Sequence, residues 1–139
     1  MKALSLLQPW ASLVVTGAKQ IETRSWSTKH RGGLLIHAST GKAGAVLTAE
    51  PPFSRYIYNF NQLPFGAIIG QVVLTDVVRV EKLHLSGTAI NHLTLEERAF
   101  GDYTNGRFAW MLEEPVLFSK PIPVKGTLGL WEYNGELYL

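Results

Sequence analysis

Hydrophobic and polar positions alternate along most of this chain with the short period of β-strands, and only a few stretches keep the longer period of a helix. Ala3–Leu7 reads as a short strand that Gln8-Pro9 ends. Pro9 to Thr16 reads as a helix: proline suits a first-turn position, Trp10, Leu13 and Val14 share one face, and Gly17 closes the C-terminus. Gln20–Trp26 alternates as a strand, and Leu34–Ser39 gives another after the turn at Arg31-Gly32-Gly33. The signal is weaker from Lys42 to Asn61, where Ala43–Glu50 and Phe53–Phe60 are expected as short helices separated by Pro51-Pro52.

A long strand follows Pro64 and Gly66. Ile68, Val72, Leu74, Val78 and Val80 fall on one face, Ile69, Val73 and Val77 on the other, and Gly70 is the expected site of a bend. Thr94–Phe100 reads as one or two helical turns, with Thr94 as cap and Glu97 three residues later. Arg107–Phe118 is expected as a strand broken near Pro115, and Lys125–Tyr133 as another, followed by a turn at Tyr133–Glu136 and a last strand at Leu137–Leu139. Five to seven strands with a few short helices predict an α+β fold, a closed or nearly closed small β-barrel with helices at its rim. No repeat or linker divides residues 1–139, so one domain is expected.

Composition narrows the classes. The 139 residues are 46% hydrophobic and 17% charged, which excludes a disordered chain. No apolar run is long enough to span a bilayer, and Gln8-Pro9 interrupts the N-terminal apolar stretch before a signal core forms, so an intracellular, cytoplasmic location is expected. With no cysteine, a disulfide framework, a thiolate metal site and a cysteine nucleophile are excluded. His30, His37, His84 and His92 show no metal-ligand spacing, so neither a metal nor another cofactor is expected. No Gly-x-Ser-x-Gly elbow or phosphate-binding glycine loop is present.

The net charge of +2 hides an asymmetry. Residues 1–49 carry Lys2, Lys19, Arg24, Lys29, Arg31 and Lys42 against the single acid Glu22, whereas the remainder is net acidic. A basic first third suits a phosphate-bearing partner. Within it, alternation sets Glu22, Arg24 and Trp26 on one strand face, with Lys19 at the preceding turn. This is either a solvated face carrying weak ion pairs or a pocket in which Glu22 partners a desolvated Lys19. Trp26 either stacks a base or plugs the barrel end. Trp10 and Trp110 read as core. Arg107 contacts phosphate or forms a surface ion pair, Tyr103 rims a cleft or anchors its loop, and His37 is a satisfied core histidine or an acid–base group at a cleft floor.

Leu4-Ser5-Leu6-Leu7-Gln8-Pro9-Trp10-Ala11-Ser12-Leu13, followed by Gly17-x-Lys19-x-x-Glu22-x-Arg24-Ser25-Trp26, resembles the opening of the ASCH family of PUA-like β-barrels. The likeness continues at Arg31-Gly32, Leu35–Ala38, Phe100–Tyr103, Gly106–Trp110 and Gly129–Trp131. The resemblance implies a PUA-like barrel with a basic cleft, lined around Lys19 and Arg24, that receives RNA or a nucleotide-like ligand. Lys19, Glu22, Arg24, Trp26, His37, Tyr103 and Arg107 are the expected ligand contacts.

One bacterial branch of the family hydrolyses acetylated cytidine with a lysine, a threonine and a downstream glutamate. Lys19 matches the lysine, Glu22 stands in the threonine's place, and Glu96, Glu97 and Asp102 are candidates for the downstream acid. Lys19 and Glu22 would be the catalytic pair of such an enzyme, or of one acting on RNA, with His37 or Asp102 assisting, although a carboxylate does not replace a hydroxyl nucleophile without a change of mechanism. A barrel docking a basic protein through its acidic second half is the remaining expectation.

Overall fold

The computed structural model describes residues 1–85 and 93–137. Six strands form one curled sheet: β1 (Lys2–Leu6), β2 (Ile21–Arg24), β3 (Gly32–Ala38), β4 (Ala67–Arg79), β5 (Phe108–Pro123) and β6 (Leu130–Glu132). Their order across the sheet is β2-β5-β4-β3-β1-β6. Only the β1–β3 pair is parallel, and the rest are antiparallel. Helix α1 (Trp10–Val15) follows β1, α2 (Val80–Leu85) follows β4, and α3 (Leu95–Phe100) precedes β5. The result is an α+β half-barrel with short helices at its rim. His92 and residues 138–139 of the anticipated last strand lie outside the described residues.

Helix α1 begins where expected, but Pro9 has no side-chain donor or acceptor with which to cap it. Gln8, fully buried, takes over: its Oε1 accepts from the Ser12 N–H at 2.9 Å, and its Nε2 donates to Ser12 Oγ at 2.8 Å and to the Pro64 carbonyl at 2.9 Å. Gly17, at φ 86°, then turns the chain out of the helix towards β2.

The sheet curls at its bulges. β4 was expected to keep Ile68 in phase with Val72 and Leu74. Instead the register shifts between Ile68 and Gly70, so Ile68 packs on one side with Leu35 and Phe118 while Ile69, Val72 and Leu74 face the other, against α1. One extra residue inverts the side-chain alternation. Gly70 is needed there: a Cβ would fall 2.2 Å from the Val116 carbonyl oxygen and 2.7 Å from Val15. β5 does not break at Pro115. It absorbs the proline in a second irregularity, with Glu114 at φ 50°, and runs on to Pro123.

Three other expectations change. The helices anticipated over Ala43–Glu50 and Phe53–Phe60 are 3₁₀ turns at Ala43–Ala49, Phe53–Arg55 and Phe60–Gln62. Val80 ends β4's run and opens α2. The strand expected over Lys125–Tyr133 shrinks to the three residues of β6, because the preceding Lys125–Gly129 stretch runs as loop and makes no ladder.

Edge strands β2 and β6 form no ladder with each other among the described residues. Side chains occupy the gap. Trp26, just past β2, packs edge-on against the fully buried Trp110 with ring centroids 4.9 Å apart, lies beside Gly129 at the entry to β6, and shares a core with Leu130. The opposite face of β1 and β3 is covered by the C-terminal segment. There Ser5 Oγ–H donates to His37 Nδ1 (3.2 Å), His37 Nε2–H donates to the Val124 carbonyl (2.7 Å), and Trp131 Nε1–H donates to Ser5 Oγ (3.0 Å).

Replacing Gly70 with Ala is expected to lower unfolding free energy by about 2–4 kcal/mol, since backbone lies on one side of the new methyl and a packed helix on the other. Urea titration checks this. A change under about 0.5 kcal/mol would mean that the bulge relaxes freely.

Candidate nucleic-acid interface

Helix α1 hands the chain to β2 through Lys19, and that residue organises the site. Its backbone N–H bonds to the Leu13 carbonyl at 2.9 Å, and its side chain is 1% exposed. A charged amine sealed from water requires acceptors. The ammonium donates to the Ile21 carbonyl and lies 3.2 Å from Glu22 Oε1. The other carboxylate oxygen of Glu22 accepts from Arg24 Nη1 at 3.2 Å, and the Arg24 guanidinium lies over the Trp26 ring at 5.4 Å. The expected face of Glu22, Arg24 and Trp26 is therefore assembled, as a chain of alternating charge ending on an indole.

Glu97 completes the group from the other side. Thr94 caps α3 as anticipated, accepting from the Glu97 N–H at 3.0 Å, but the Glu97 side chain does not turn back to close a capping box. It crosses to β2, where Oε1 accepts from Ile21 N–H at 2.9 Å and Oε2 from Gln20 N–H at 3.0 Å. Burial pushes the Glu97 carboxyl above the usual glutamate range, against the pull of those N–H groups and of Lys19. Of the three acids considered, Glu97 is the one placed beside Lys19. Glu96 instead accepts from Arg55 and Tyr56 at the surface.

An open groove of about 730 Å³ runs past this cluster. Its lining includes the polar Glu22, Thr23, Arg24, Asp102 and Arg107 together with the apolar Trp10, Phe53, Phe100, Leu47 and the nearly fully exposed Leu128. Arg107 is fixed by donating from Nη2 to the Thr23 carbonyl (3.0 Å) and from Nε to the Asp102 carbonyl (3.1 Å). Asp102 accepts from both the hydroxyl and the N–H of Thr104, which holds its carboxyl below the usual aspartate range.

Charge in the groove is balanced rather than basic among the described residues. Of the six basic groups in the first third, only Arg24 lines it, facing Glu22, while Arg107 faces Asp102. Lys19 stands behind Glu22, and among Lys19, Glu22 and Glu97 only Glu22 reaches the groove.

The remaining expected contacts are dispersed. His37 is buried in the network on the far sheet face and meets the groove only through Ser5. Tyr103 packs its ring with Ile21, Val80 and Ala109, not along the groove. Its buried hydroxyl has no hydrogen-bond partner among the described residues, and desolvation aided by Glu97 and Glu22 pushes its pKa well above the usual tyrosine range. Trp10, assigned to the core by its helix periodicity, does pack against the cluster of Leu13, Phe53 and Phe100, and it also lines the groove. Its indole N–H donates to the Phe100 carbonyl at 2.7 Å and its ring meets Phe53 edge-on. The signal for this was its place at the first turn, where a helix side chain has neighbours on one side only.

Replacing Glu97 with Ala is expected to cost about 2–3 kcal/mol by stranding the Gln20 and Ile21 N–H groups, and Gln, which keeps an acceptor, much less. The acid's pH signature has a definite sign. Because the folded-state pKa is raised, the unfolded chain loses this proton first, and the contribution of Glu97 to stability falls as pH rises from the ordinary glutamate value through the raised one. Subtracting the pH–stability curve of E97Q from that of the parent should isolate this decline. A difference curve that rises with pH there would contradict the burial argument.

Comparison with known proteins agrees with this fold. Residues 4–121 match the ASCH domain family model. The chain is 28% identical over 142 residues to mouse activating signal cointegrator 1 and 27% identical over 141 residues to its human counterpart, in each case over 97% of this chain and 22% of the relative. It therefore spans about a fifth of the length of these curated relatives. Among solved structures, the ASCH protein of Zymomonas mobilis superposes with a TM-score of 0.53 at 19% identity, covering 88% of this chain and 72% of that one. A point mutant of the same protein gives 0.54 at 20%, covering 88% and 73%. With the family model covering most of the chain, and the half-barrel and groove in place, this protein belongs to the ASCH domain family.

Proposed function

We propose that the groove binds single-stranded nucleic acid, RNA foremost. The observation that carries this reading is the presence, in one groove of nucleotide dimensions, of two fixed guanidiniums and apolar aromatic side chains. Arg24 and Arg107 take phosphate or base-edge acceptors, each retaining N–H groups not used in its internal contacts. A base lies against Trp10, with Phe53, Phe100 and Leu47 around it; such stacking is worth about 1–3 kcal/mol per base. Trp26 acts through Arg24, whose guanidinium it supports, and Lys19 through Glu22, which it holds from behind. His37 and Tyr103 support β1 and β2 from outside the groove. Membership of the ASCH family favours the same ligand class.

Binding is favoured over turnover by the placement of the would-be catalytic groups. A lysine–glutamate pair acting on an acylated cytidine would need the ammonium at the substrate, and Lys19 is 1% exposed, does not line the groove, and is held by the Ile21 carbonyl and Glu22. Acylated cytidines are therefore expected to be left intact, as chromatography of incubated nucleoside would show.

Titration with a short single-stranded RNA at several salt concentrations tests the reading. Arg24→Ala and Arg107→Ala should each weaken binding on the order of tenfold and lower the slope of log affinity against log salt by about 1. An unchanged slope in both variants would remove the arginines from the interface.

A further inference from the structure

Glu22 has a chemistry that phosphate binding does not use. Its carboxylate is held from both ends, Oε1 by Lys19 at 3.2 Å and Oε2 by Arg24 at 3.2 Å, so its plane does not turn freely. The residue is 8% exposed, and what it shows lines the groove. Each carboxylate oxygen has two lone-pair sites and has spent one on its cation. What Glu22 shows to the groove is thus a carboxylate fixed in orientation, with acceptor sites and no donor, flanked by the remaining N–H groups of Arg24 on the Oε2 side.

Pairing with Lys19 accounts for a carboxylate at this position, but where it lines the groove it repels phosphate and suits a ligand group with protons to give. Among the Watson–Crick edges of the bases, guanine alone presents two neighbouring donors, N1–H and the 2-amino group, spaced for the two oxygens of one carboxylate. Cytosine and adenine each present an amino group beside a ring nitrogen whose lone pair a carboxylate oxygen repels. Uracil presents one N–H between two carbonyls. The order along the guanine edge also matches the order in the wall: the 2-amino group at Oε1, N1–H at Oε2, and the O6 acceptor at Arg24. Resting on the reading of the groove as a single-strand site, we propose that Glu22 is its specificity-determining residue and reads the Watson–Crick edge of an unpaired guanine. Paired guanine has that edge occupied, so a duplex is refused.

The shared chemistry admits a guanine within a strand or a free guanine nucleotide, and the experiment separates them. The full chain is titrated, by tryptophan fluorescence and calorimetry, with the pentanucleotide UUGUU and with versions carrying A, C, U, inosine, 1-methylguanine or 7-deazaguanine at the centre. The guanine pentamer is expected to bind roughly five- to hundredfold more tightly than the A, C and U forms. Inosine, lacking the 2-amino group, and 1-methylguanine, lacking the N1 proton, should fall towards the uracil level, while 7-deazaguanine, altered only on the other edge, keeps the preference. Equal affinity for all pentamers overturns guanine reading and leaves the groove as a nucleic-acid site. Binding of none overturns both.

Guanosine monophosphate as competitor names the source: displacement at concentrations comparable to the pentamer identifies a nucleotide site, and displacement only at far higher ones a strand site. In Glu22→Gln, where an amide donor replaces one acceptor, the guanine-to-uracil affinity ratio should collapse to about one. A ratio that survives in a variant whose circular dichroism matches the parent's assigns the preference elsewhere and overturns the proposal. Should that variant not fold, the inosine and 1-methylguanine arms decide the matter on the unaltered protein.

Discussion

Everything at the groove follows from one buried ammonium. Lys19 sits at the junction between α1 and β2 with its side chain cut off from water, and an unpaired charge there would cost several kcal/mol. Its acceptors are local in sequence, the Ile21 carbonyl and Glu22, which turns the first residues of β2 inward. With one oxygen of Glu22 on Lys19, the other fixes Arg24, and Arg24 in turn lies over Trp26. Glu97 reaches in from α3 and satisfies the N–H groups at the start of the same strand. A constraint on the core thereby sets the order and orientation of the groups that face the groove.

The sheet supplies the space. A flat six-stranded sheet would leave β2 and β6 far apart, but the irregularities in β4 and β5 add twist and curl, and the two edges approach until one indole fits between them. Because the edges meet through Trp26 rather than through a backbone ladder, the barrel stays open beyond that point. The segment from Ala43 to Gln62, with its three 3₁₀ turns, the N-terminal turn of α1 and the end of α3 contribute apolar lining to the opening.

Much of this was legible in the sequence because the informative interactions are close along the chain. The alternation of Glu22, Arg24 and Trp26 predicts one strand face with Lys19 at the preceding turn, and the structure keeps that arrangement through local contacts. The ends of α1 and α3 were marked by Pro9, Gly17 and Thr94, whose backbone and capping roles are local. What failed was long-range. The inverted phase of β4 depends on β5 passing close to Gly70, which periodicity in one strand does not encode. Pro115 reads as a breaker alone, yet β5 bends around it. Glu97 gives a good capping box, and only the arrival of β2 explains why its side chain leaves that role. The histidine at position 37 illustrates the opposite case: an apolar strand with one imidazole predicts a satisfied core group, and Ser5 and Val124 supply the satisfaction.

A wall of arginines already paired to carboxylates behaves differently from a lysine-rich patch. Each guanidinium has given part of its hydrogen-bonding capacity to the protein, so a phosphate gains less from it and long-range attraction is weak. In exchange the donors and acceptors are fixed before a ligand arrives, and little ordering entropy is lost when one binds. Such a surface favours discrimination over raw affinity, because a wrong partner meets fixed groups that cannot turn away and leaves them unpaired. The acid at position 22 is the clearest instance. On a surface selected only to hold phosphate it is a liability, whereas on one that reads an edge it supplies half of the pattern. The buried Lys19 lets that acid be kept at the groove without being free to swing into solvent, which ties the recognition chemistry back to the core.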